Sequence, residues 1–208
     1  MNELGVSAVR PLLLALAQVP DSTDGMLEVL TLVVKRVVVG NLGTGSIERR
    51  FADAAQAVRK SGNWRDALAE LSELDHSRDE FVLALSRRSY NRNTLGFLRR
   101  SIVQASRVPE SDGTLQLIRP RHVAEGGWPG FSEEEAAFWT SNIANTILVR
   151  IDRRPRGANT WDGVKDLLLP EAVPEEPAVE LRGLGHWTAT DSAREAAALA
   201  TSAADVWC

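Results

Sequence analysis

His122 carries the most suggestive chemical setting in this chain of 208 residues. It lies between Arg121 and Val123, three residues after Arg119, just beyond the β-branched and apolar stretch Thr114 to Ile118. A histidine at the end of a strand, in a basic neighbourhood, is placed to take a proton from a water attacking a phosphodiester. The other two histidines read differently. His76, between Asp75 and Ser77, reads as a solvated loop residue, and His186, before Trp187 in a glycine-rich turn, as a structural one. The single cysteine is Cys208, which excludes an intrachain disulfide and a cysteine-based zinc site. Gly40 to Ser46 has the glycine spacing of a phosphate loop. Ser46 stands where that loop needs a lysine, so the segment reads as a turn between helices.

Two asparagines follow His122 in an order that matters. Asn145 immediately precedes the apolar run Thr146 to Ile151, and Asn159 precedes Thr160-Trp161-Asp162-Gly163-Val164-Lys165. A strand with a histidine, a second strand and then a helix with a polar ligand is the order of a ββα-metal (HNH) nuclease motif. There the histidine is the general base, an asparagine orients it, and a divalent metal stabilises charge on the phosphate.

The string from His122 through Asn145 and Leu148 to Asn159, Trp161 and Lys165, with Trp187, Arg194 and Trp207 in the tail, resembles the C-terminal nuclease domain of GmrSD-type restriction endonucleases. SspE-like phosphorothioate-sensing defence proteins share that architecture. Arg121 stands where the family usually has an acid, Glu125 where it has a proline, and Ala144 where it has a glycine. The resemblance implies His122, Asn145 and Asn159 as catalytic residues. It implies Mg2+ or Mn2+ as cofactor, with Asn159 as ligand or phosphate contact and Glu125 as a substitute carboxylate. It also implies double-stranded DNA as substrate, and an N-terminal nucleotide-hydrolysing sensor domain in the same longer protein. Arg119, Arg121, Arg150, Arg153, Arg154, Arg156 and Lys165 are the residues expected to hold the DNA backbone.

The elements that must position these residues can be read from periodicity. Helices are expected over Val9 to Val19, from Asp24 through Val37, from Ser46 through Val58, and over Asn63 to Leu74, Asp79 to Leu85 and Thr94 to Val108. Beyond Pro109 the texture changes. Strands are expected at Thr114 to Ile118 and Thr146 to Ile151, and Ser132 with Glu135 has the spacing of a capping box. Further helices are expected over Thr160 to Leu169 and Asp191 to Val206, with the acidic, proline-rich Pro170 to Pro177 as a surface excursion. The expected fold is therefore mainly α, with a small ββα-metal (HNH-like) two-stranded element inserted among helices. Residues 1–108 form a helical bundle region, and residues 109–208 the nuclease motif with a closing helix.

Composition sets the frame. Hydrophobic residues make up 44% and charged residues 25%, which excludes wholesale disorder, and no apolar run approaches a membrane span. Net charge is −4, yet residues 86–124 hold eight arginines against two acids, while residues 157–208 hold nine acids against three bases. A basic middle suits a phosphate backbone. The reading that follows is a cytoplasmic DNA endonuclease or nickase, the effector domain of an anti-phage restriction system, with no membrane partner. The alternative is a catalytically decayed helical module that binds DNA or protein.

Overall fold

A computed structural model describes residues 4, 6–40, 44–123 and 128–208. It divides into two compact units, Met1–Phe81 with Trp207–Cys208, and Val82–Val206. The change of texture at Pro109 falls inside the second of them.

The first unit is helical. Helix α1 (Arg10–Leu16) carries Pro11 in its first turn, where a missing N–H removes no helical bond, and buries Leu12, Ala15 and Leu16. Helix α2 (Ser22–Val39) begins at Asp21, which is in the left-handed region, so Asp24 lies in the first turn and not at the cap. It ends at Gly40, whose N–H donates to the Arg36 carbonyl at 2.7 Å. Helices α3 (Thr44–Ser61) and α4 (Arg65–Glu70) pack on one another, and α3 also packs on α1. Ile47, Phe51, Ala54, Ala55 and Val58 are buried at the expected helical spacing. The stretch expected to be helical through Leu74 breaks after Glu70 into a 3-10 turn, Ser72–Leu74. His76 is buried and not solvated, with Nδ1 3.8 Å from the Glu80 carboxylate. The apolar Leu71 and Leu74 anchor the turn and draw the loop inward with them. Helix α5 (Arg78–Arg87) follows.

In the second unit, Asn91 accepts from the Thr94 N–H and caps helix α6 (Arg92–Val103). The helix stops at Gln104 because Ala105 turns to positive φ, five residues short of the expected end. Strands β1 (Thr114–Leu117) and β2 (Thr146–Val149) pair antiparallel, Leu115 opposite Leu148 and Gln116 opposite Ile147. Between them lies helix α7 (Glu133–Trp139), with Ser132 and Glu135 forming the anticipated capping box. Thr160 caps the short helix α8 (Trp161–Gly163), which runs on as a π-helical turn, Val164–Leu168. The long helix α9 (Ala189–Trp207) closes the chain. The architecture is mainly helical with one small two-stranded antiparallel sheet. No described helix is long and apolar enough to cross a membrane.

The core of this unit joins Ile118, Ile147 and Val149 to Val164, Leu168 and a trio of tryptophans. Trp161 stacks on Trp187 with ring centres 5.9 Å apart, and Trp128 meets Trp161 edge to face at 6.1 Å. One expectation is overturned here. Pro170 to Pro177 is not a surface excursion: Ala172 bridges Val149, the Val173 N–H donates to the Leu148 carbonyl at 3.0 Å, and Val173 and Glu176 are buried. Free backbone groups on β2 draw the segment in despite its acidity. The Glu176 carboxylate accepts from the Leu148 N–H at 2.9 Å and forms a fully buried ion pair with Arg99 on α6.

Candidate nucleic-acid interface

The end of β1 is pinned from two sides. The Asn145 carboxamide oxygen accepts from the Arg119 N–H at 2.7 Å, and its NH2 donates to the carbonyls of Arg119 at 3.0 Å and Thr140 at 3.3 Å. The side chain is only 2% exposed. Asn145 thus satisfies the backbone of the segment leading to His122, and its amide is fully occupied doing so. Its hydrogen bonds go to the backbone of Arg119 and Thr140, not to the imidazole.

Arg154 supplies the second clamp. Its guanidinium donates to the carbonyls of Leu117, Ile118 at 2.9 Å and Ala158, the last also through Nε at 2.8 Å. Burial lowers its pKa to about 10. These bonds tie the turn after β2 to the end of β1, which gives Arg154 a structural task where phosphate contact was expected. Arg150 is similarly engaged, donating to the Pro170 carbonyl at 3.1 Å. Lys165 pairs with Asp162 at 2.9 Å and holds that carboxyl below its usual range. Arg119 lies over the Phe131 ring at 5.3 Å, and burial lowers its pKa.

Arg121, Arg153 and Arg156 remain exposed. His122 is exposed as well, and no hydrogen bond joins it to another described residue. Asn159 is exposed; its backbone carbonyl accepts from Trp128 Nε1 at 2.7 Å, and Thr160, not Asn159, caps α8. The backbone of Asn159 is therefore fixed while its side chain meets solvent. No hydrogen bond joins the three side chains of His122, Asn145 and Asn159 to one another.

An open cleft of about 550 Å³ runs beside β1, lined by Tyr90, Arg92, Arg121, Ser141 and Arg154 among others. Arg92 donates to the Leu115 carbonyl, as Arg154 does to that of Leu117. The outer edge of β1 thus faces three guanidinium groups. Arg92, Tyr90 and Ser141 are functional candidates that motif reasoning passed over. Arg92 was visible only as one charge in a basic run, and Ser141 has no motif at all.

No group of three or more His, Cys, Asp and Glu side chains comes together among the described residues. Asn159 offers an amide alone, and Glu125 lies outside the described residues. Comparison of the chain with known protein families, with curated proteins and with solved structures returns no match.

Proposed function

We propose that the second unit is a double-stranded-DNA-binding module, which holds the phosphate backbone with arginines around the outer edge of β1. The observation that carries this reading is the cleft lined by Arg92, Arg121 and Arg154, flanked in the chain by the exposed Arg153 and Arg156. Arg92 and Arg154 stay positively charged while bonded to carbonyls, so they supply field. Arg121, Arg153 and Arg156 have guanidinium groups free to reach phosphate oxygens, which gives affinity without base readout.

Fluorescence anisotropy with a labelled duplex, taken across a salt series, tests it. Binding should weaken as salt rises. Replacing Arg121, Arg153 and Arg156 by alanine should flatten the slope of log affinity against log salt by up to about three units, near one per lost phosphate contact. An unchanged slope places the DNA on another surface.

A second reading, an HNH-type endonuclease of a restriction system, is favoured by one observation: His122 is exposed just beyond a backbone that Asn145 and Arg154 pin. In that reading His122 takes the proton of an attacking water, and Asn145 is a positioning residue. Supercoiled plasmid incubated with the protein should then be nicked with Mg2+ or Mn2+ and left intact with EDTA. His122→Ala should slow nicking by about 10²–10⁴-fold, the range for loss of a general base. Plasmid left intact under every condition leaves the binding module alone.

A further inference from the structure

We infer that the cleft beside β1 is a subsite for a single nucleotide, which takes a nucleoside monophosphate as the free compound or as one nucleotide turned out of a duplex. The inference deepens the proposed DNA-binding function and rests on it. Its first support is size: about 550 Å³ is in the range of a small-molecule pocket, and a double helix does not enter such a space.

The second support is the chemistry of the walls. On its outer side β1 meets no strand among the described residues. The carbonyls of Leu115 and Leu117 on that side already receive Arg92 and Arg154. In a strand the N–H and carbonyl of one residue point the same way, so the amides of Leu115 and Leu117 also face outward. Thr140 donates its hydroxyl to the Ala136 carbonyl, Tyr90 to that of Ala84, and Asn91 holds its helix cap. What remains for a ligand is the Arg121 guanidinium, the Ser141 hydroxyl, the Asn91 NH2 and outward-facing amides, with the Gln116 carboxamide oxygen beside them. Donors outnumber acceptors and one of them is a cation, which favours an anion.

The third support is the apolar part of the lining. Tyr90, Leu95 and Pro120 give the cleft a surface that a phosphate alone would leave uncovered. A base covers it, and its attached phosphate reaches the donors. Chemistry on, or recognition of, a nucleotide inside a duplex requires it to leave the stack, and that step costs least at a mismatched or unpaired base.

Titration calorimetry of the full chain with dAMP, adenosine and inorganic phosphate tests the assignment. A duplex containing one unpaired adenosine nucleotide is compared with its fully paired counterpart. dAMP should bind, adenosine and phosphate should each bind more weakly, and dAMP should displace the duplex with the unpaired base before the paired one. Arg121→Glu should weaken dAMP by about tenfold or more, the loss expected for a charge-assisted hydrogen bond. Ser141→Leu, which narrows the cleft without touching its charge, should do the same while the binding of paired duplex persists. If dAMP does not bind but paired duplex does, the subsite is overturned and the DNA-binding function stands. If neither binds, both fall. Equal binding of phosphate and dAMP overturns the nucleotide and leaves a bare anion site, and indifference to both variants moves the ligand elsewhere.

Discussion

Glu195 shows how one carboxylate can work against the fold that holds it. Its Oε1 is enclosed with no hydrogen-bond partner, and burial raises its pKa above the ordinary value. Arg99 and Arg194 oppose that shift, while Glu176 and Glu180 add to it. A carboxyl whose pKa is higher in the folded chain favours folding at low pH, and that contribution is lost as pH rises through the folded value. Glu195→Gln keeps the shape and removes the charge. The variant should melt at a higher temperature than the parent at pH 8, and the gain should fade as pH falls below the ordinary range of a glutamate. Thermal melts across pH check this, and a loss of stability at pH 8 would show that the charge is stabilising. Asn145 is a residue whose presence was legible and whose task was not. Its position before β2 drew attention, but only coordinates show its amide bound to the backbone of Arg119 and Thr140.

At the scale of elements, α8 depends on the absence of a side chain. A Cβ on Gly163 would lie 2.0 Å from the Gly157 carbonyl oxygen, which is backbone and cannot swing aside. Gly157 sits at φ +96°, so the turn it makes is equally demanding. Gly163→Ala should cost at least about 1–3 kcal/mol, as overpacking does, against a few tenths for an alanine at the exposed Gly183. Urea titrations of the two variants check this, and equal midpoints would mean that the turn yields freely. The elements themselves were largely readable, because apolar spacing marks α3, β1 and β2 and the capping box marks α7. Residues 170–177 were not. Proline and acid signal a loop, and nothing local shows that β2 has an open edge for Val173 and Glu176 to meet. The cleft was hidden for the same reason: Arg92, Arg121 and Ser141 meet only when the chain folds.

Across the molecule, the buried pair between Arg99 and Glu176 joins positions 77 residues apart. Its Nε–Oε2 distance is 3.3 Å, and both side chains are fully enclosed. Glu176 also accepts from the N–H of Leu148 and of Ala178. Removing one member leaves an uncompensated charge in the interior. Arg99→Met should therefore destabilise the protein by about 3–5 kcal/mol, and the double variant Arg99→Met/Glu176→Met by much less per residue replaced. Chemical denaturation of the parent, the single and the double variant checks this. Additive losses would mean that the two side chains act independently.

The arginines on the outer edge of β1 also bear on how the chain avoids its own copies. A bare strand edge invites a strand from another molecule, and here the carbonyls at Leu115 and Leu117 are already occupied. Arg92 precedes β1 in the chain, whereas Arg154 follows Leu117 by 37 residues. On a nascent chain, half of the edge is covered from the start and half waits for a later segment. Crowded synthesis is thus the moment at which self-association threatens, and loss of Arg92 would bare the whole edge during it, while loss of Arg154 would expose its half only afterwards.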